Sequence, residues 1–439
     1  MTSSISDLDL LKREAAKAAN IVARHDFVRV YTHHDADGIA AGAIIAKALL
    51  RAGKTFQISF LKGLNEDFEY ERGELLVFAD MGSAYPDKMS EVDTDLIILD
   101  HHIPVGTIKP RRNFAHLNPH LFGFDGTYEL SASGVAYFFA NGIAKNRDLA
   151  SIAILGILGD KQKFSGPNAE ILREGKERGV VEVRTGINLP SGKLRKALQT
   201  SLEPYLDFYG NEDELDEFLS KVKVSGEKDV DELSFEEMQR LADAIALRML
   251  KLGAYEGVFG EVFGKKILLT NLPIKSATTL TEVVNSCGRA GAMSVALAML
   301  LGDTTFLEKA LRIHEEFLTQ LLEELSRRKK EVRDGFCIRY LVMKDAPSAS
   351  PIATVFSRYL YSDKPLVVIN VKNGEAKVSA RTTEKLSERL NLADVMRLAA
   401  EKVGGVGGGH RVAAGANIPP DKVEEFLKEV DRLCCTMLA

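Results

Sequence analysis

No stretch of this 439-residue chain reaches the roughly 18 consecutive apolar positions that mark a membrane-spanning helix. Cysteine is scarce, with residues only at 287, 337, 434 and 435. These positions suggest neither a disulfide framework nor a zinc-ligand spacing, and adjacent Cys434 and Cys435 are poorly placed to pair with each other. A reducing cytoplasm is the expectation. Positive charge is not in excess either. The formal net charge is −5, which excludes a surface coated with basic residues for duplex DNA. It leaves room for metal ions or a local basic groove to handle phosphates. The stretch Met1 to Leu11 is polar and acidic and does not read as a signal peptide. There is no internal repeat and no low-complexity tail.

What remains is ordinary for a soluble globular protein: 45% hydrophobic and 27% charged residues, in a chain long enough for two or three domains. The informative feature lies at the ends of apolar runs. Phe27 to Tyr31 reads as a buried strand and leads into His33-His34-Asp35-Ala36-Asp37-Gly38. Leu75 to Ala79 ends in Asp80, and Leu96 to Leu99 ends in Asp100-His101-His102. Parallel strands would bring these groups to one sheet edge, where open α/β sheets bind ligands. Any single one of these aspartates is most often a turn residue or a helix cap, and Asp35 or Asp37 could cap a helix starting near Gly38. Together they form an ordered set. Carboxylates gathered so closely shift each other's pKa unless a cation sits among them. Mixed oxygen and imidazole donors suit Mn²⁺, with Mg²⁺ as the alternative.

Along the chain, Leu8 to Ala23 has helical spacing, and Phe56 to Phe60 reads as a strand. A segment from Asn113 to Asp125 crosses the surface, a helix opens at Ser133, and Leu149 to Leu158 reads as a buried helix ending in Gly159-Asp160. This alternation predicts an α/β fold with a doubly wound, mainly parallel sheet. Residues 190–260 are acidic and amphipathic and read as a helical insertion, with a capping box at Ser234 to Glu237. Thr304 to Arg333 is a long amphipathic helix whose basic end suits a helix C-terminus. Beyond Gly335 come expected strands at Phe336–Val342, Pro365–Val371 and Ala376–Ser379, then the glycine-rich 404–409.

In the order Asp-x-Asp-Gly, strand-ending Asp, Asp-His-His, the chain resembles the DHH phosphoesterase superfamily, named for the triplet seen here at 100–102. The resemblance implies a two-metal site. Asp80 would bridge the ions as a catalytic carboxylate, His33 and Asp35 would hold one, and Asp37, His101 and Asp160 the other. The run Ile154 to Asp160 matches the family's fourth motif. His33 is preferred to His34 because His-x-Asp-x-Asp places three side chains at alternate positions. Asp100 would orient His101 from behind, and His102 would touch the scissile phosphate. Asn285-Ser286-Cys287-Gly288-Arg289 looks like the Asn-Ala-x-Gly-Arg motif of the RecJ branch, with Ser286 in place of alanine. There Asn285 and Arg289 would meet substrate. Ser379, Arg381 and the run Gly407 to Gly415 resemble the DHHA1 substrate-binding domain. Glycine backbones at Gly408 and Gly409 allow close approach, Arg381 can grip a phosphate bidentately, and His410 follows them.

The resemblance spans about 30–200 and 265–420. It implies a DHH catalytic domain over 1–189, resumed at 261–303 after the insertion, a connecting helix over 304–334, and a smaller α/β DHHA1 domain over 335–439 gripping substrate across a cleft. The implied activity is a RecJ-like exonuclease hydrolysing single-stranded DNA or RNA from an end, with two Mn²⁺ ions, in replication or repair in the cytoplasm. Implied partners are single-stranded nucleic acid and the GINS replication complex. Two rivals stand beside it. One is a phosphoesterase for nanoRNA, cyclic dinucleotides or phosphoadenosine phosphate; the other is a non-catalytic scaffold like the Cdc45 replication factor.

Overall fold

Five strands carry the first half of the molecule: β1 (Phe27–His33), β2 (Thr55–Leu61), β3 (Leu75–Ala79), β4 (Asp95–Leu99) and β5 (Phe114–Leu117). In this computed structural model, which describes residues 6–438 apart from Asn65, they form one parallel sheet in the order β2-β1-β3-β4-β5. The first residues of the polar N-terminal stretch lie outside the described residues. Strand side chains alternate between faces. Leu75, Val77 and Ala79 join a core with the helices Asp7–Val22, Ala36–Arg51, Ala132–Ile143 and Ala150–Gly159. Leu76 and Phe78 join a second core on the opposite face with Met89 and Val92. Burial on both faces explains why these strands read as unbroken apolar runs. The sheet is doubly wound and parallel, as expected. In this strand order the topological switch lies between β1 and β3, so the crevice opens where His33 and Asp80 end their strands.

β5 differs from the expected surface segment. Phe114 to Leu117 pairs in register with Leu96 to Leu99 as a fifth strand. Four residues with a histidine among them are too few to display a period in sequence.

The chain divides into two compact units, Met1–Arg184 with Ile267–Glu315, and Thr185–Lys266 with Glu316–Ala439. It passes between them within β6 (Val181–Ile187), β7 (Phe263–Leu269) and the long helix Leu307–Arg328. The second unit holds a six-stranded mixed sheet built from β8 (Arg333–Asp334), β9 (Arg339–Lys344), β10 (Leu366–Lys372), β11 (Glu375–Arg381), β12 (Val406–Gly409) and β13 (Ala413–Ile418). Its order is β12-β13-β11-β10-β9-β8, with β9 and β10 parallel. Residues 190–260, set apart in sequence as an insertion, share one core with this region: Leu215, Leu241 and Ile245 pack in the same cluster as Leu341, Met343 and Ile352. An amphipathic helix must bury its apolar stripe somewhere, and here it does so within the second unit. The capping box at Ser234 and Glu237 is present.

The cysteine expectation needs correction. Cys337 and Cys435 form a disulfide across 98 residues of sequence. Asp431, one helical turn before Cys435, accepts the backbone N–H groups of Phe336, Cys337 and Ile338 and so brings the two segments together. A pairing fixed by tertiary contacts leaves no spacing signature. Cys287 and Cys434 are buried thiols.

Candidate metal centre

β1 delivers His33, and the chain then turns into the helix Ala36–Arg51. Asp35 is the N-cap of that helix, its Oδ1 accepting from Gly38 N–H at 3.0 Å. Its Oδ2 lies 2.9 Å from His33 Nδ1. A cap and a candidate ligand are therefore one residue with two oxygens. Asp37 lies in the first turn and is 1% exposed. Its carboxylate accepts N–H groups of Ala132 at 2.7 Å and Ser133 at 2.9 Å, at the N-terminus of the helix Ala132–Ile143. Helix N-termini favour negative charge, and here two supply it with direct donors. Gly156 lets this packing close: a Cβ there would stand 1.9 Å from Asp37 Oδ1.

Asp80 follows β3 in the left-handed backbone region, at φ 60°. For a residue other than glycine this conformation costs about 1 kcal/mol or more. It turns the carboxylate between two histidines: Oδ2 is 3.3 Å from His33 Nδ1, and Oδ1 is 3.3 Å from His101 Nε2. His101 Nε2 is also 3.3 Å from Asp160 Oδ2 and 3.9 Å from Asp37 Oδ2. Its Nδ1 faces the Gly126 carbonyl at 2.7 Å. A carbonyl only accepts, so Nδ1 carries the proton and Nε2 turns to three carboxylates. A bare lone pair cannot sit there; the position requires a proton or a cation.

The charges bear this out. Burial first, then the Asp80 charge, pushes Asp37 up to about 6. Burial and Asp37 push Asp160 well above the usual carboxylate range. Burial opposes protonation of His33 and His101, yet Asp35 beside one, and Asp80 and Asp160 beside the other, hold both well above an ordinary imidazole. Asp35 moves the other way. Although it is desolvated, His33 holds it below the usual range. These are the signatures of carboxylates and imidazoles crowded together. Donor groups result from His33 with Asp35 and Asp80, from Asp37 with His101 and Asp160, and from Asp80 with His101 and His102; in each the donor atoms lie within 4.8 Å of one another. Oxygen and imidazole donors in this arrangement fit divalent Mn²⁺ or Mg²⁺. His34 belongs to none of these groups among the described residues; its ring stands edge-on to His33.

Asp100 was expected behind His101. Its carboxylate instead meets the ring of His102, with Oδ1 2.8 Å from His102 Nδ1, and it reaches only the backbone N–H of His101. Asp100 Oδ1 also accepts the backbone N–H of His102 at 3.2 Å, an i→i+2 turn that brings the His102 ring back to the carboxylate. The Gly126 carbonyl orients His101 instead. Gly126 was missed because a backbone acceptor has no side-chain signature. Gln162 Nε2 donates to the same carbonyl at 2.8 Å.

Asn285 has a place in the scaffold of the site. Its Oδ1 accepts the N–H of Ala36 at 3.0 Å, which ties the helix Ala277–Arg289 to the start of the loop helix. Ser286, in place of alanine, hydrogen-bonds His314 Nδ1 at 2.9 Å. Arg289 ends the same helix; desolvation lowers its pKa while the charges of Asp35 and Glu282 work against that.

In the second unit, Arg381 ends β11. It donates to Ser350 Oγ at 2.8 Å, Thr354 Oγ1 at 3.2 Å and the Ala380 carbonyl at 2.9 Å. Ser379 is buried on β11 opposite Gly415. The glycine run is the edge strand β12, and His410 opens the turn to β13. Its glycines are not equivalent. A Cβ at Gly407 would stand 2.3 Å from the Met396 carbonyl, and Gly409 has φ 135°. A Cβ at Gly408 would meet nothing within 4 Å, so the fold does not require its bareness.

Residues 27–157 match the DHH family N-terminal domain, and residues 337–435 match the DHHA1 domain. Over 428 residues the chain is 33% identical to the uncharacterized protein MJ0831 of Methanocaldococcus jannaschii, covering 94% of each chain. The chain belongs to the DHH family. Among solved structures this DHH protein is similar to RecJ in complex with Mn²⁺ from Thermus thermophilus, with a TM-score of 0.62 and 17% identity. The alignment covers 97% of this chain but only 55% of that one. It is also similar to CDC45 from Entamoeba histolytica, with a TM-score of 0.64, 12% identity, and coverage of 95% and 97%. At such identities the likeness concerns the fold: a RecJ-like DHH protein with its DHHA1 domain. No helix among the described residues is long and apolar enough to cross a membrane.

Proposed function

We propose that this chain is a two-metal phosphodiesterase that hydrolyses single-stranded DNA or RNA from an end. The observation that carries the reading is the Asp80 carboxylate, which gives one oxygen to His33 and the other to His101, each at 3.3 Å. A bridging carboxylate between two ligand sets is what a pair of cations roughly 4 Å apart requires. Mn²⁺ or Mg²⁺ held there would draw charge from phosphoryl oxygens and make a bound water more acidic. His33 and Asp35 serve one position and Asp37, His101 and Asp160 the other. His102 has a 45% exposed ring whose Nδ1 is held by Asp100, so its Nε2 is the nitrogen left to meet the scissile phosphate. Arg289 adds positive charge near Asp35. Ser379, Arg381, Gly408, Gly409 and His410 hold the terminal nucleotide. The Mn²⁺ in the Thermus RecJ structure supports the choice of ion.

The test is digestion of end-labelled single-stranded DNA and RNA with Mn²⁺, beside duplex controls, following which end is released. Mn²⁺-dependent release of mononucleotides from single strands is expected. Hydrolysis confined to dinucleotides would favour a small-substrate enzyme. No hydrolysis of any phosphodiester by metal-loaded protein would favour a scaffold.

A further inference from the structure

Behind His102 lies a buried polar network that the metal positions do not use. Asp100 is 0% exposed, Ser83 1% and Asn118 0%. Asp100 Oδ1 accepts His101 N–H at 2.8 Å, His102 N–H at 3.2 Å and the His102 ring at 2.8 Å. Its Oδ2 accepts the backbone N–H of Ser83 at 2.8 Å. Asn118 Nδ2 donates one hydrogen to the His102 carbonyl and the other to Ser83 Oγ, both at 2.8 Å. Asn118 Oδ1 accepts from His120 N–H at 3.0 Å. Ser83 Oγ lies 2.9 Å from His116 Nε2, within hydrogen-bond reach of the ring.

The loops after β3, β4 and β5 thus meet in one network around His102. Ser83 comes from the first, Asp100 and His102 from the second and Asn118 from the third, while His116 lies within β5. Each buried donor and acceptor in it is matched, and such networks hold one geometry because a half-matched state is costly. If the network only closed the loops, its bonds could end anywhere on them. They converge instead on the two groups that aim the His102 ring: its own carbonyl and the carboxylate that holds its Nδ1.

We propose that Ser83 and Asn118 are positioning residues for His102, fixing its backbone and its Asp100 partner so that Nε2 faces the substrate phosphate. The role rests on the phosphodiesterase reading above. The Ser83 backbone N–H takes up one oxygen of Asp100 and leaves the other to the imidazole, while Ser83 Oγ accepts from Asn118 Nδ2 and so holds the amide that reaches the His102 carbonyl. Asn118 fixes the peptide that carries the ring.

Two measurements on the metal-loaded full chain test this. In kinetics, Asn118→Ala, which removes the bond to the His102 carbonyl, should lower kcat roughly tenfold, and Ser83→Ala, which removes the Oγ support of Asn118, should lower it by less, with KM and metal content unchanged. In a His102→Ala background the same changes should cost nothing further. Ser83→Thr, which keeps the hydroxyl, should restore turnover. In parallel, ring ¹⁵N spectra of histidine-labelled protein, assigned with His102→Ala, should show His102 signals moved in Ser83→Ala and Asn118→Ala while His25 stays in place. Equal losses in both backgrounds, or unmoved His102 signals, would overturn the proposal. If wild-type protein hydrolyses nothing, the phosphodiesterase reading fails by itself, and the spectra still decide whether these residues position the ring. If Ser83→Ala does not fold, Asn118→Ala and Ser83→Thr carry the test.

Discussion

Gly156→Ala tests whether the carboxylate cluster is a rigid construction. In most helices this change stabilises, by about 1 kcal/mol, because alanine loses less backbone entropy. Here the new Cβ would stand 1.9 Å from Asp37 Oδ1 and 2.1 Å from Ser133 Oγ. An ordinary contact begins near 3.4 Å, so Asp37 and Ser133 would each have to yield by more than an ångström. Asp37 has nowhere to go without releasing Ala132 or Ser133 N–H. Overpacking costs about 1–3 kcal/mol, and a lost hydrogen bond to a charged group about 1.5–3 kcal/mol. Against the helix gain, the net is a loss of about 2–5 kcal/mol. Denaturant unfolding of metal-free protein gives the stability change, and Mn²⁺ titration gives the effect on the site. Both should worsen. A variant as stable as wild type, with unchanged Mn²⁺ affinity, would show that Asp37 is free to shift and would refute the reasoning.

Asp80→Ala should abolish hydrolysis even at saturating Mn²⁺, since the donor group of His33 loses a member and His101 loses the carboxylate that joins its group to that one; wild-type turnover would reject the two-metal assignment. Asp160→Asn should leave the metal-free protein as stable or more so at pH 7 and weaken Mn²⁺ binding, because the raised pKa of Asp160 means its ionised form is disfavoured until a cation arrives; calorimetry with and without Mn²⁺ reads both effects. Reducing Cys337–Cys435, which closes a loop of 98 residues, should lower stability by up to about 4–5 kcal/mol in the chain-entropy view; identical melting with and without reductant would count against a stabilising role. The Arg432 and Lys402 side chains hold Glu429 down to about 2. Because the folded pKa is depressed, its contribution is present above about pH 4.5 and is lost as pH falls towards 2. The stability gap between wild type and Glu429→Gln should therefore be open at pH 6 and narrowed at pH 3, and a gap independent of pH would exclude the ion pairs as its source.

The parts of the site legible in sequence are those whose residue types are improbable together. His33, Asp35, Asp37, Asp80, His101 and Asp160 stand at the ends of strands and of a helix, and a parallel sheet brings strand ends together without further instruction. What stayed hidden is held by backbone or by partners distant in sequence. The Gly126 carbonyl aims His101, Asn285 serves the loop helix through Ala36, and Asp431 joins Cys337 to Cys435. β5 escaped because four residues show no period. The core shared by residues 190–260 and the second sheet escaped because amphipathicity says that a helix has a buried face, not what covers it.

The aspartates are not electrostatically equal, and their places on helices explain why. Asp35 caps one helix, and Asp37 receives N–H groups from the start of another, so each meets the positive end of a helix dipole. Asp160 is the C-cap of the helix Ala150–Gly159, where the dipole is negative and the helix supplies carbonyls rather than donors. It is also pushed up by burial and by Asp37. The fold can therefore hold Asp35 as a carboxylate on its own resources, with His33 beside it, and meets most of the cost for Asp37. It leaves Asp160 to be balanced from outside. A site arranged only for stability would not place a half-buried acid at the wrong end of a helix, facing three other carboxylates. A site arranged to receive a cation gains from it, because the donor least satisfied by the protein is the one with most to gain when the ion binds.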